Sequence, residues 1–169
     1  MSKQEFLLNF KNKLEIDVAG NTSMDDIANA DWAVLAAGIS TITPASSETS
    51  DNTPYYDGEG FSDTEVTGKH ITFALSGHRL MGDKAQDYVA ARFLDIGDKL
   101  RTLCRWTDAE GNTVTSVATL TAIVPFGGAA NVKQTFSFTL ALNGKPKYEA
   151  AQTTGGTSGQ ANKAAKADK

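Results

Sequence analysis

Thr135-Phe136-Ser137-Phe138-Thr139-Leu140-Ala141-Leu142 sets a small residue against a large apolar one at every step. A period of two is the signature of a strand with one face in a core and the other in water. Within residues 132–142, Phe136, Phe138, Leu140 and Leu142 point inward. Lys133, Thr135, Ser137 and Thr139 point outward. Asn143-Gly144 follows and reads as a hairpin turn leading to a short last strand over 145–150.

Working outward, the same rhythm recurs. Residues 113–124 are rich in Thr and Val, which favour strands. Asp108-Ala109-Glu110-Gly111-Asn112 before them reads as a tight hairpin loop, with Gly111 free to take positive φ. Residues 99–107 place Thr102, Cys104 and Trp106 on one face. Residues 69–76 alternate Ile71, Phe73 and Leu75 with polar and small residues. Leu14, Ile16 and Val18 alternate with Lys13, Glu15 and Asp17 over 13–18. Residues 31–43 read as one long strand, with Trp32, Val34 and Ala36 on a shared face and a bend at Gly38. The chain has one helical segment, predicted over 84–94. Asp83 is its N-cap, Gln86 stands at the third position of a capping box, and Gly97 is a stop. Ala85, Tyr88, Val89 and Phe93 would form its buried side. Ser23 can cap no more than a short turn over 24–28. The expected fold is mainly β, a β-sandwich or curled sheet with one flanking α-helix.

Residues 44–65 break the pattern. They carry Glu48, Asp51, Asp57, Glu59, Asp63 and Glu65, and no basic residue. They also carry Tyr55, Tyr56 and Phe61, which a pure linker does not need. A structureless loop this long inside a compact domain is usually functional. The expected organisation is an N-terminal arm (1–12), a single domain (13–150) with this loop, and a disordered C-terminal tail (151–169) bearing Lys163, Lys166 and Lys169.

Composition excludes several classes. The net charge is −4, whereas a protein that grips nucleic acid usually shows a basic patch. The single cysteine, Cys104, cannot form an internal disulfide. No apolar run approaches the ~18 residues of a membrane span, and Met1-Ser2-Lys3-Gln4-Glu5-Phe6 is not a signal peptide. Folding in a reducing cytoplasm, away from any membrane, is the expectation.

Chemistry-bearing sets are equally sparse. His70 and His78 have only Asp83 nearby as a further ligand, so they read as ordinary surface histidines, not a metal pair. Cys104 sits mid-strand beside Trp106, as a small buried hydrophobe would. Asp51, Asp57, Glu59 and Asp63 do not follow EF-hand spacing. Neither Gly58-Glu59-Gly60 nor Gly127-Gly128 lies between a strand and a helix as a phosphate loop must. No Gly-x-Ser-x-Gly elbow occurs. The expectation is no enzyme, no cofactor and no metal.

Four runs, in this order, carry a resemblance. They are Tyr55-Tyr56-Asp57-Gly58-Glu59-Gly60, Val66-Thr67-Gly68-Lys69, Leu75-Ser76-Gly77-His78-Arg79 and Gly82-Asp83-Lys84-Ala85-Gln86-Asp87-Tyr88-Val89. With Glu48 and the Trp32 strand, the region over residues 10–150 resembles the major tail protein, or tail tube protein, of long-tailed phages of Gram-positive bacteria. That resemblance implies hexameric rings stacked into a tube, with neighbouring strands joined in a barrel around a lumen for DNA. It implies a loop and a terminal arm that reach the adjacent ring. The implied partners are other copies of the chain, the tape measure, tail tip and terminator proteins, and viral DNA that passes without specific binding. The implied location is the virion tail, after synthesis in the host cytoplasm.

Under this resemblance Glu48, Tyr55, Tyr56, Asp57, Gly58, Gly60 and Phe61 become candidates for contacts between subunits or rings. The alternative is that the aromatics fold back on their own domain. Two polar faces compete for the lumen: Thr113, Thr115, Thr119 and Thr121 on one strand, and Lys133, Thr135, Ser137 and Thr139 on another. Two other readings stay open. One is a β-sandwich binding module, such as a capsid decoration or receptor-binding protein. The other is a small hydrolase, which a deep pocket with convergent titratable groups would revive.

Overall fold

A computed structural model describes residues 4–152. The chain is mainly β, as its alternation predicts, and its strands form one antiparallel seven-stranded sheet. They are β1 (Lys13–Asp17), β2 (Trp32–Val34), β3 (Ile39–Asp51), β4 (Glu65–His78), β5 (Arg101–Thr107), β6 (Thr113–Val124) and β7 (Thr135–Glu149). Their order in the sheet is β2-β1-β5-β6-β7-β4-β3. The helix α1 (Lys84–Ala90) packs against β6 and β2.

The sheet is curled. Strands β2 and β3 are its two opposite edges, yet residues 35–38 alone connect them. Such a short link spans at most about 18 Å, so the edges must approach each other. Phe73 of β4 and Trp106 of β5 confirm it: two strands lie between them, but their ring centroids are 6.0 Å apart. The concave side holds the core, including Leu14, Ile16, Phe73, Leu75, Leu120, Phe136, Phe138 and Leu140. Each such Phe or Leu, fully buried, contributes roughly 1.5–3 kcal/mol. The alternation of β7 therefore translates directly into core.

Several sequence expectations are corrected. Residues 31–43 are two strands, because Gly38 takes φ +75° and turns the chain from one sheet edge to the other. Ala33 and Leu35 are buried there, while Val34 and Ala36 are exposed, so the face shared by Trp32, Val34 and Ala36 is not the core face. The predicted loop 44–65 is mostly ribbon: β3 runs to Asp51 and β4 starts at Glu65, leaving 52–64 as the loop. Helix α1 stops at Ala90, and Phe93 is exposed. Gly97 opens a 3-10 turn (Gly97–Leu100) beyond it. Asn143-Gly144 makes no hairpin. Gly144, with φ +71°, sits in a bulge, and β7 continues to Glu149. A left-handed glycine serves a bulge as readily as a turn.

The hairpin at Asp108 forms as predicted, closed by Asp108 N–H donating to Asn112 O at 3.0 Å. Asp83 caps α1 by accepting from Gln86 N–H at 2.9 Å. The C-terminal tail, from 153 onward, lies outside the described residues, as do Lys163, Lys166 and Lys169. The N-terminal arm makes one 3-10 turn (Asn9–Lys11) and leaves Phe6, Leu8 and Phe10 exposed.

Candidate assembly surfaces

The two-stranded ribbon is the first surface. The pairing of β4 with β7 ends at Thr72 and Ala141, but β3 and β4 stay paired as far as Asp51 and Glu65. The ribbon beyond Thr72 therefore projects from the sheet by about 20 Å, at a strand's rise per residue. Both its faces meet solvent. Glu48 lies on this ribbon, not in a loop, and pairs with Lys69 at 2.8 Å.

At the tip, Tyr56–Gly58 forms a 3-10 turn. Glu59 then takes a left-handed conformation at φ +52°, followed by Gly60 at +89°. Asp51 accepts from Thr53 N–H at 3.0 Å and from its hydroxyl at 2.6 Å. Those two bonds hold the Asp51 carboxyl below the usual carboxylate range. Tyr55, Tyr56 and Phe61 are 68%, 107% and 83% exposed, so they do not fold back on their own domain. With Asp57, Gly58, Asp63 and Glu65, Tyr55 and Phe61 edge a shallow concavity.

The second surface is the convex side of the sheet. The register puts Thr41, Thr43 and Ala45 of β3 beside Ser76, Ala74 and Thr72 of β4. Those in turn pair with Ser137, Thr139 and Ala141 of β7, and Val124, Thr121 and Thr119 of β6 complete the rows. Every position in this array except Val124 is Thr, Ser or Ala. The Thr121 hydroxyl donates to Thr139 O at 3.3 Å, and Asn143 Nδ2 donates to Thr119 Oγ1 at 2.7 Å. The two polar faces that compete in the sequence are thus one face. Thr135 borders it, opposite His78. Thr115 is buried and Thr113 half-buried beyond the β-bulge, so neither belongs to the open part. Lys133 precedes β7 and is not on the sheet.

A chain of 169 residues gives these surfaces few rivals. Burial pushes the Cys104 thiol up to about 12, which leaves it unreactive at neutral pH. His70 and His78 lie on β4. Among the described residues, no three His, Cys, Asp or Glu side chains gather as a metal site would require.

Comparisons with known proteins bear on the fold. No protein-family model matches the chain, and no curated protein matches it. Solved structures do, two of them of gene transfer agent particles. One is the tail of an empty GTA particle with C6 symmetry: TM-score 0.64, 13% identity, 86% of this chain and 100% of that chain covered. The other is the virion of a native gene transfer agent particle: TM-score 0.62, 12% identity, with the same coverages. The chain has the fold of a particle-tail protein. At this identity the likeness is one of architecture, and it says nothing of the hosts that the sequence resemblance implies.

Two features of this tail-like fold escape sequence reading. Gln86 looks like a capping-box residue, yet its carboxamide is fully buried and does other work. Its Nε2 donates to Ala37 O at 2.8 Å and His78 O at 3.2 Å, and its Oε1 accepts from Leu80 N–H at 2.8 Å. Gln86 therefore ties α1 to the corner where the sheet edges meet. The second feature is the free outer side of β3, a thirteen-residue edge strand that the sequence presents as half loop. Its one legible signal is Pro44, which strands tolerate at edges.

Proposed function

We propose that this chain is a non-enzymatic structural subunit of a phage-type tail tube. Copies of it form hexameric rings stacked around a channel through which DNA passes. The observation that carries this reading is the uncharged convex face of Thr, Ser and Ala spread over β3, β4, β7 and β6. Within those four strands the wall offers no cation to hold a phosphate, Arg101 of β5 standing only at its border opposite Thr119, so DNA slides along it instead of sticking. The free β3 edge and the projecting ribbon supply what a ring needs besides a wall. Strand edges join neighbours, and exposed aromatics anchor contacts. Likeness to chains from a C6-symmetric GTA tail supports the same reading. The tape measure, tail tip and terminator proteins are then its other partners, and the virion tail is its location.

Negative-stain electron microscopy of the concentrated protein, together with mass spectrometry of purified tails, tests this. Hollow tubes or six-fold rings are expected. A protein that stays monodisperse and is missing from the tails would overturn the reading.

A further inference from the structure

Where β4 leaves β7, the two strands open into a fork. Its cleft, of about 690 Å³, is lined by Lys69, His70 and Ile71 on β4, by Leu142 and Lys145 on β7, and by Arg101 at the start of β5. Lys69, Arg101 and Lys145 give it a basic rim, with Lys69 also paired to Glu48 at 2.8 Å and Arg101 to Asp98 at 3.5 Å, and no carboxylate lines the cleft itself. Ile71 and Leu142 give it an apolar floor. From Glu65 to Ile71 the side of β4 that faces the fork has no β7 partner.

The ribbon tip has the complementary chemistry. It presents Asp51, Asp57, Asp63 and Glu65 around Tyr55 and Phe61, and residues 44–65 contain no cation. The paired ribbon runs about 20 Å from the base of the fork at Thr72 to Glu65, and so holds a chain's own tip away from the base of its own fork.

We propose that the fork between β4 and β7 receives the acidic, aromatic tip of a second copy of this chain. Carboxylates meet Lys145 and Arg101 at the rim, and an aromatic ring covers Ile71 and Leu142. Charge complementarity of this kind fixes partner and orientation. Tip and fork are different surfaces, so the contact is heterologous: each copy gives a tip to one neighbour and accepts one from another. The inference rests on the reading of the chain as a self-assembling subunit.

The experiment uses cysteine pairs in the full chain. Cys104 is buried and does not compete for reagent. Asp57→Cys and Lys145→Cys proteins are mixed at high concentration and treated with a short bismaleimide. A cross-linked dimer is expected from the mixture, and roughly tenfold less at 1 M salt, where screening acts within about 3 Å. Asp57→Cys alone should give little. No mixture-specific dimer overturns the proposal, even if tubes form, and the tube reading then survives without it. Charge reversal gives the second arm. Asp57→Lys with Asp63→Lys, and Arg101→Glu with Lys145→Glu, should each block assembly, while the two proteins mixed should restore it. Restored assembly that stops at a dimer keeps the contact and sinks the tube. If the fork instead binds short duplex DNA and no cross-link forms, the fork is a polyanion site and the proposal fails.

Discussion

Gly77 packs against Gly38 so tightly that a Cβ on Gly77 would lie 2.0 Å from the Gly38 carbonyl oxygen. The same Cβ would come within 2.8 Å of Ile39 Cα and 2.9 Å of Ser40 N. These are backbone atoms at the corner where the sheet edges approach, so nothing flexible can yield. Gly77→Ala should cost roughly 3 kcal/mol, read as a lower midpoint in urea unfolding. Gly82→Ala is the comparison: it faces open space and strains only its φ of +87°, so it should cost about 1 kcal/mol. Equal losses at both sites would refute the close packing.

Gln86 satisfies backbone groups from three places on the chain at once. Gln86→Ala strands the Leu80 N–H and the Ala37 and His78 carbonyls at a part-buried corner. A loss of roughly 2–4 kcal/mol follows. Hydrogen exchange should show early opening at 37–39 and 78–80, before β6 and β7. Uniform loosening of the whole sheet would contradict the corner's local dependence on this amide.

Asp108 closes the β5–β6 hairpin. It accepts from Asn112 Nδ2 at 2.7 Å and from the N–H groups of Glu110 and Asn112, both at 2.9 Å. The Asn112 amide, first among these, holds the carboxyl below its ordinary 3.8. A depressed folded value means the group stabilises the fold above pH 3.8 and loses that contribution as pH falls through the folded pKa. An NMR titration should give Asp108 a midpoint under 3.8, and Asn112→Ala should move it up. An unmoved midpoint would remove Asn112 as the cause.

The loop 52–64 has its aromatics in water and gives no side chain to the core. Replacing it by an Asn-Gly turn, which suits a two-residue hairpin, should leave thermal unfolding nearly unchanged and abolish assembly in electron micrographs. The cut keeps Ser46–Asp51 paired with β4, which a deletion of the whole acidic stretch would not. Normal tubes from this variant would relieve the tip of any role.

What the sequence discloses depends on asymmetry between faces. β7 and the inner half of β4 have one side in the core and one in water, and their alternation states this plainly; β1 alternates too, but its Glu15 and Asp17 are buried. The outer ribbon has water on both sides, so Ser46-Ser47-Glu48-Thr49 looks like loop although it is strand. Gly38 and Gly144 both allow left-handed backbone, but which one turns the chain and which one bulges it depends on partners far away in sequence. Tyr55, Tyr56 and Phe61 among acids were legible as an exposed element. The basic fork was not, because Lys69, Arg101 and Lys145 come from separate strands and meet only through the register.

The open side of β3 governs how the free subunit behaves before it meets others. A bare strand edge pairs with almost any extended chain, whatever its sequence. Here Pro44 withholds an N–H, Glu48 brings a charge, and most neighbours are short hydroxyl side chains with little apolar surface to reward a chance match. A few residues of pairing gain almost nothing; only a partner that fits along all thirteen does. On the tube reading proposed above, the consequence is a threshold: dilute protein stays dispersed, and association sets in abruptly above a critical concentration.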